Sequence, residues 1–341
     1  MSTTGTTPTG TIAPARRRRL DPAALAPIAG LAFVLVLAAV TTPNFYSPEV
    51  LRLVLFQAGI IGIAAIGQTL VLLTGGIDLS IGGVASLTSV TLAIYTAGDD
   101  TKLAIGILLC ALAGVAVGLL NAGLVVIRNV PPFVATFASF VLIQGIIIAW
   151  TRGAPSGRTP PALGWLGIGR IFEIPVSIIL LAVIALVAGT VLGRSTAGRR
   201  LYATGLNPDA AARSGIRVGL VIAVCYVIAS LTGVLVGLIN SGYIGFVDAA
   251  LVGKLNLDSV AAAVIGGIAL TGGRGRIWQT IVGTLLLASM LTWLIQLGAG
   301  GGAQLVFSGA VILLAVLLQN GRESLRALIR TKTHPTKKGT Q

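Results

Sequence analysis

The 341 residues are 55% hydrophobic and only 10% charged, too apolar for an ordinary soluble domain and typical of a chain that crosses a bilayer many times. The net charge of +14 invites a nucleic-acid partner, but no aromatic platform accompanies the basic clusters, which excludes that class. Cys110 and Cys225 lie in apolar runs, no CxxC pair occurs, and the one histidine, His334, is in the polar tail, so a metal centre or disulfide framework is excluded too.

In chain order, residues 1–20 are rich in Thr, Pro and Arg and read as a disordered basic N-terminus on the cytoplasmic side. The first apolar run follows four arginines without a small-residue cleavage site, so it reads as a retained anchor. Runs long enough to span are expected near 22–41, 51–73, 80–97, 103–126, 133–151, 174–193, 218–240, 257–271, 277–297 and 303–320. The fold class is therefore all-α, a polytopic helical bundle of about ten spans over 21–321, with a basic cytoplasmic tail over 322–341. The eighth run is short and has the length of a half-helix. Eight spans would preserve the same parity.

Charge supports the even count. With the N-terminus inside, 18 of the 24 Lys and Arg fall on the cytoplasmic side, and both termini lie there. Arg52, Lys102, Arg152, Arg158, Arg170 and Lys254 fall outside, cancelled by Glu49, Asp99, Asp100, Glu173, Asp248 and Asp258. The 45 glycines fit close helix–helix approach, locally as Gly114-xxx-Gly118 and Gly233-xxx-Gly237. Between the fifth and sixth runs, 151–173 reads as an external loop, with Trp165 against the membrane surface.

Between the second and third runs, Gly75 and Gly76 break the helix, and Asp78 is placed to cap the next one with Ser80 nearby. An ionisable residue bordering the bilayer core is a functional candidate; a helix-capping carboxylate at the cytoplasmic boundary is the alternative. Gly266–Gly273 echoes the pattern, either by chance or as an internal repeat. Gln68, Asn121, Thr136, Gln144 and Asn240 are polar groups inside apolar runs. Each is a candidate for an interhelical hydrogen bond or for a solute path.

The basic interruption from Arg194 to Arg217 carries the best-punctuated helix in the chain. Asn207 suits an N-cap and Pro208 the first helical position. Asp209 complements the positive end of the dipole, Ala210, Ala211 and Ala212 favour helix, Arg213 suits the negative end, and Gly215 can end it. So short a helix needs packing or a partner, and it reads as a docking element. Enzyme signatures are missing: there is no G-x-x-x-x-G-K-[ST] phosphate loop and no HExxH, and a dyad of Asp248 and Asp258 would sit in an exposed segment.

Taken together, several segments make the chain resemble the membrane permease of ribose/xylose-type ABC importers. They are Thr42–Phe45, Gly75–Ser80, Pro132–Thr136, Trp165–Arg170, Gly198–Ala203, Asn207–Ala211, Ser214–Ile216, Leu257–Gly267 and Gly272–Arg276, in order, between about 42 and 320. The resemblance implies a bacterial plasma-membrane subunit that imports a ribose-like monosaccharide. It would pair with a second permease copy (homodimer or heterodimer), a cytoplasmic ABC ATPase and an extracytoplasmic solute-binding protein. ATP and Mg would sit on the ATPase, and this chain would bind no cofactor.

By the same resemblance Arg199, Asn207, Pro208, Asp209, Ala210, Ala211, Arg213, Ser214 and Gly215 form the ATPase-coupling segment. Arg152, Arg158 and Arg170 are candidates to dock the binding protein, or simply solvated loop charges. The chain departs from the family pattern at Asp209, usually Glu, and at Ala212 and Arg213, often Arg then Leu. Leu206 and Leu257 replace a common Gly and Glu. Cargo of another kind, a nucleoside or branched-chain amino acid, fits the same importer class. An ion-coupled secondary transporter is the rival reading; it would want ionisable residues deep in the spans, where only Asp78 comes close.

Overall fold

A computed structural model describes residues 22–154, 156–245, 254–311, 313 and 317. Within them the chain folds as α1 (Pro22–Thr41), α2 (Pro48–Leu73), α3 (Ile81–Thr96), α4 (Leu103–Ala122), α5 (Pro132–Thr151), α6 (Gly164–Ile168), α7 (Val176–Arg194), α8 (Thr196–Leu206), α9 (Pro208–Arg213), α10 (Val218–Ile244), α11 (Leu255–Gly266) and α12 (Ile277–Gln296). Residues 301–311 are helical as well. A hairpin of β1 (Arg170–Ile171) and β2 (Ile174–Pro175) pairs Arg170 with Pro175 and Ile171 with Ile174.

Helix starts are marked chemically. Pro48 and Pro132 open α2 and α5, where a missing N–H costs nothing. Ser47 Oγ accepts from the Val50 N–H at 3.4 Å. Among the described residues, six helical stretches are long and apolar enough to cross a bilayer: α2, Asp100–Ile127 (which contains α4), α5, α7, α10 and α12. α3, α11 and the Ala26–Thr41 part of α1 are shorter apolar helices. The last expected run, 303–320, and the terminal segments extend beyond the described residues.

The helices alternate between two ends. At the hairpin end, Arg52 at the start of α2 bridges Glu49 (2.8 Å) and Glu173 (2.9 Å), and the Trp293 indole N–H donates to Thr41 Oγ1 (2.9 Å). There too Asp99 Oδ1 accepts from Thr101 Oγ1 (2.7 Å) and N–H (2.9 Å), bonds that hold its pKa below the ordinary carboxylate value. At the other end, the Gly273 N–H donates to the Leu73 carbonyl (2.9 Å), and the Tyr202 hydroxyl to the Gly275 carbonyl (2.8 Å).

α2 and α10 form the middle of the bundle, whereas α4, α5 and α7 turn residues such as Leu112, Ile148 and Leu186 outward. The two glycine pairs lie at backbone-close crossings: Gly114 and Gly118 face α10, and Gly233 and Gly237 face α3. A Cβ at Gly118 would sit 2.6 Å from the Val227 Cα. Such approaches suit a lipid setting, where packing replaces the hydrophobic drive between helices. Cys110 and Cys225 are free and buried.

α3 does not start at an end. At ~1.5 Å rise per residue, Gly233 stands roughly 22 Å along α10, and that is where it meets the carbonyl of Ile81, the first residue of α3. α3 and α11 have 16 and 12 residues, against 26 and 27 for the long helices preceding them, α2 and α10. Their N-terminal turns meet inside the bundle, where the Gly82 N–H donates to Asn256 Oδ1 at 2.6 Å. The chain thus repeats one unit, a long helix followed by a half-length one, in opposite directions.

The Gly75 and Gly272 breaks, alike in sequence by chance or as an internal repeat, touch each other at one end. A Cβ on Gly272 would sit 2.8 Å from the Gly75 nitrogen. Asp258 also departs from expectation. It lies half-buried on α11 and accepts from Ser308 Oγ (3.2 Å) instead of sitting in an exposed segment. Asp248, its expected partner, lies outside the described residues.

Candidate functional site

Two groups of residues stand out, stacked one above the other at the end that carries α8 and α9. The inner group surrounds Asp78, which is fully buried. Gly75, at φ 86°, turns the chain out of α2. The chain then runs back into the bundle before α3 begins, which carries Asp78 to the level of Tyr226, eight residues into α10 and roughly 12 Å along it.

Asp78 Oδ1 accepts from the Ser80 N–H (2.7 Å) and hydroxyl (2.6 Å). Asn121 on α4 donates to Ser80 Oγ (2.8 Å), and Ser139 on α5 donates to Asn121 Oδ1 (2.6 Å). With its amide turned to satisfy both bonds, Gln68 donates to the Asp78 carbonyl (2.8 Å) and accepts from the Asp78 N–H (3.2 Å). Thr136 Oγ1 donates to the Ile77 carbonyl at 3.1 Å. One short stretch is therefore gripped by α2, α4 and α5. Asp78 Oδ2 and the Tyr226 hydroxyl, both buried, have no hydrogen-bond partner among the described residues.

Four of the polar candidates thus converge: Gln68, Asp78, Asn121 and Thr136. Gln144 and Asn240 are half-buried, and no hydrogen bond joins either to this cluster among the described residues. Sequence reasoning passed over Ser139, Tyr226 and Asn256. A tyrosine inside an apolar run counts as hydrophobic, and Asn256 precedes a run too short to mark its depth. The one available signal was that Ser139 and Tyr226 are hydrogen-bonding groups within apolar stretches; Asn256, among Lys254, Asp258 and Ser259, gave none.

The outer group is α8 and α9. Ser195 Oγ caps α8 by accepting from the Gly198 N–H (3.1 Å), and α8 then lies across the end of the bundle opposite the hairpin. A Cβ on its Gly205 would run into the Leu73 carbonyl, and one on Gly273 would sit 2.6 Å from the Leu206 side chain. Burial raises the pKa of the Tyr202 phenol, with Arg276 pulling the other way, so the hydroxyl stays a donor to Gly275.

α9 is closed at both ends. Asn207 Oδ1 accepts from the Ala210 N–H (2.9 Å). Ser214 Oγ donates to the Ala210 carbonyl (2.9 Å), Gly215 turns at φ 81°, and the Ile216 N–H returns to the Ala211 carbonyl (3.1 Å). Pro208, Asp209, Ala210, Arg213, Ser214 and Gly215 are exposed, as is Arg199 on α8. Ala211 is the exception, only 4% exposed.

At the hairpin end, Arg170 is held by Glu173 (3.4 Å), which Arg52 shares. Arg152 and Arg158 are exposed, with no carboxylate within ion-pair distance among the described residues. The three arginines are therefore not equivalent.

Residues 50–316 match the family model described as branched-chain amino acid transport system / permease component. The chain is 33% identical over 299 residues to the ribose import permease protein RbsC of Escherichia coli K12, covering 86% of this chain and 93% of that one. It is 35% identical to the Bacillus subtilis 168 protein of the same name over 303 residues (88% and 94%). To the galactofuranose transporter permease protein YtfT of Escherichia coli K12 it is 33% identical over 324 residues (92% and 94%). No solved structure matches.

Proposed function

The chain belongs to the branched-chain amino acid transport system / permease component family of multi-pass membrane permeases, and from that premise we propose that it is the transmembrane subunit of an ATP-driven importer for a ribose-like monosaccharide. The observation that carries the coupling role is α9: a six-residue helix, capped at both ends, exposed except at Ala211, and standing on a body otherwise built of apolar helices. Its acid and base, Asp209 and Arg213, are free to meet a partner. The partner would be a cytoplasmic ATPase subunit that supplies the nucleotide chemistry for which this chain has no phosphate loop.

On this reading α9 faces the cytoplasm together with both termini, and the chain makes ten crossings, α3 and α11 each completing one with the extended chain before it. The hairpin end faces outward and receives a solute-binding protein, with Arg152 and Arg158 free to pair with its carboxylates. A second permease copy completes the pathway. ATP binding shifts an equilibrium between outward- and inward-facing states through contacts that differ between the two at α9. The monosaccharide cargo follows from relatives named for ribose and galactofuranose.

The test is uptake of radiolabelled D-ribose into proteoliposomes holding the permease with its copurifying ATPase and binding protein. Reversing both charges, Asp209→Lys with Arg213→Glu, is expected to abolish uptake while membrane insertion stays normal. Wild-type rates from that double variant would remove the docking role. Uptake of a branched-chain amino acid or nucleoside in preference to sugars would change the cargo and leave the mechanism standing.

A further inference from the structure

α8 touches the bundle at the two places where its backbone is least regular. Gly205 lies so close to the Leu73 carbonyl and the Gly273 nitrogen that no side chain fits between them, while Tyr202 hydrogen-bonds the Gly275 carbonyl. The Gly273 N–H closes the arrangement by donating to Leu73 (2.9 Å). The end of α2, the α11–α12 turn and α8 therefore share one small set of backbone atoms.

Next in the chain come Thr74, Gly75 and Gly76, whose N–H groups bond back to the Val71, Leu72 and Val71 carbonyls at 3.0, 2.9 and 3.1 Å. A cavity of about 60 Å³ opens beside them, lined by Gly75, Gly76, Pro132, Ile222 and Tyr226 among others. Two residues beyond Gly76 is Asp78. A displacement of α8 is taken up at this turn, because Gln68 clamps Asp78 and Thr136 holds the Ile77 carbonyl, whereas Gly75 already sits at φ 86° with only the Thr271 carbonyl, 3.8 Å away, within reach of an added Cβ.

We infer that Tyr202 and Gly205 are positioning residues, which carry the movement of α9 through Leu73 into a hinge at Gly75 and so open the turn hydrogen bonds of Thr74, Gly75 and Gly76 beside the clamped Asp78. This rests on the docking role of α9. The carrier is α8, whose buried side, Gly198, Leu201 and Thr204, is the one seated on the bundle.

Hydrogen exchange on the full-length permease in lipid nanodiscs separates the two ideas. Two peptides are followed as the copurifying ATPase is added with a non-hydrolysable ATP analogue: 207–217, which reports docking, and 72–80, which reports the hinge. In the wild type, 207–217 is expected to gain protection and 72–80 to lose it. In Tyr202→Phe, which removes one hydrogen bond without adding bulk, 207–217 should respond as before while the response of 72–80 is lost. Gly205→Ala should act the same way wherever it yields folded protein. A hinge response unchanged in Tyr202→Phe overturns the inference and leaves the docking reading intact. No protection of 207–217 in the wild type overturns both.

Discussion

α8 and α9 adjoin at Asn207 and are held in opposite ways. α8 is fastened from outside itself: Gly198, Leu201 and Thr204 are buried, Gly205 is pressed on the Leu73 carbonyl, and Tyr202 is tied to Gly275. α9 is fastened from within, by the Asn207 cap, the Ser214 back-bond and the Gly215 turn, and only Ala211 is buried. A helix whose stability is local can give up its surroundings for a partner and keep its shape. A helix seated on another chain segment must move with that segment or tear away. The pair therefore works as a grip and a lever, and the difference can be probed by substitution.

The largest effect should come from Gly205→Val. Overpacking against the Leu73 and Gly273 backbone is expected to cost about 3 kcal/mol, read as a lowered thermal midpoint in detergent or as loss of folded protein. An unchanged midpoint would mean that α8 is not seated as described. Asn207→Ala removes the cap where the helices join. It should cost about 1 kcal/mol of helix stability and weaken ATPase copurification, with the rest of the bundle unaffected by hydrogen exchange.

Tyr202→Phe should cost about 1 kcal/mol. It should also change the pH profile, because burial raises the folded phenol's pKa above the ordinary tyrosine value of about 10. The seat is then fully present below pH 10 and weakens as pH rises through the folded value. In the wild type stability should carry that alkaline loss, and in Tyr202→Phe the component should vanish; identical alkaline profiles would show that the hydroxyl is not buried against Gly275. A small effect on stability, below about 1 kcal/mol because only exposed helix-dipole contacts are lost, is expected from Asp209→Lys with Arg213→Glu, although uptake should disappear. A large destabilisation there would mean that α9 is gripped like α8.

Sequence reading reached α9 almost atom by atom, because caps act over three or four residues and write themselves into composition. It also found the Gly75–Ser80 break and four members of the Asp78 cluster, since polar groups are conspicuous in apolar runs. It could not reach the half-length of α3, because hydrophobicity records what a residue tolerates and not the depth at which a helix begins. For the same reason Asp78 read as a boundary residue, although the chain doubles back and buries it. The likeness between Gly75–Gly83 and Gly266–Gly273 was visible, but its meaning was not. The two stretches meet face to face beneath α8, a contact between residues nearly two hundred positions apart that no local pattern encodes.

The account stands or falls on what drives the lever. Proteoliposomes holding the permease, its copurifying ATPase and its binding protein should accumulate D-ribose when ATP is supplied on the α9 side, at a rate indifferent to imposed proton or sodium gradients. Accumulation driven by either gradient with no ATPase subunit present would contradict it.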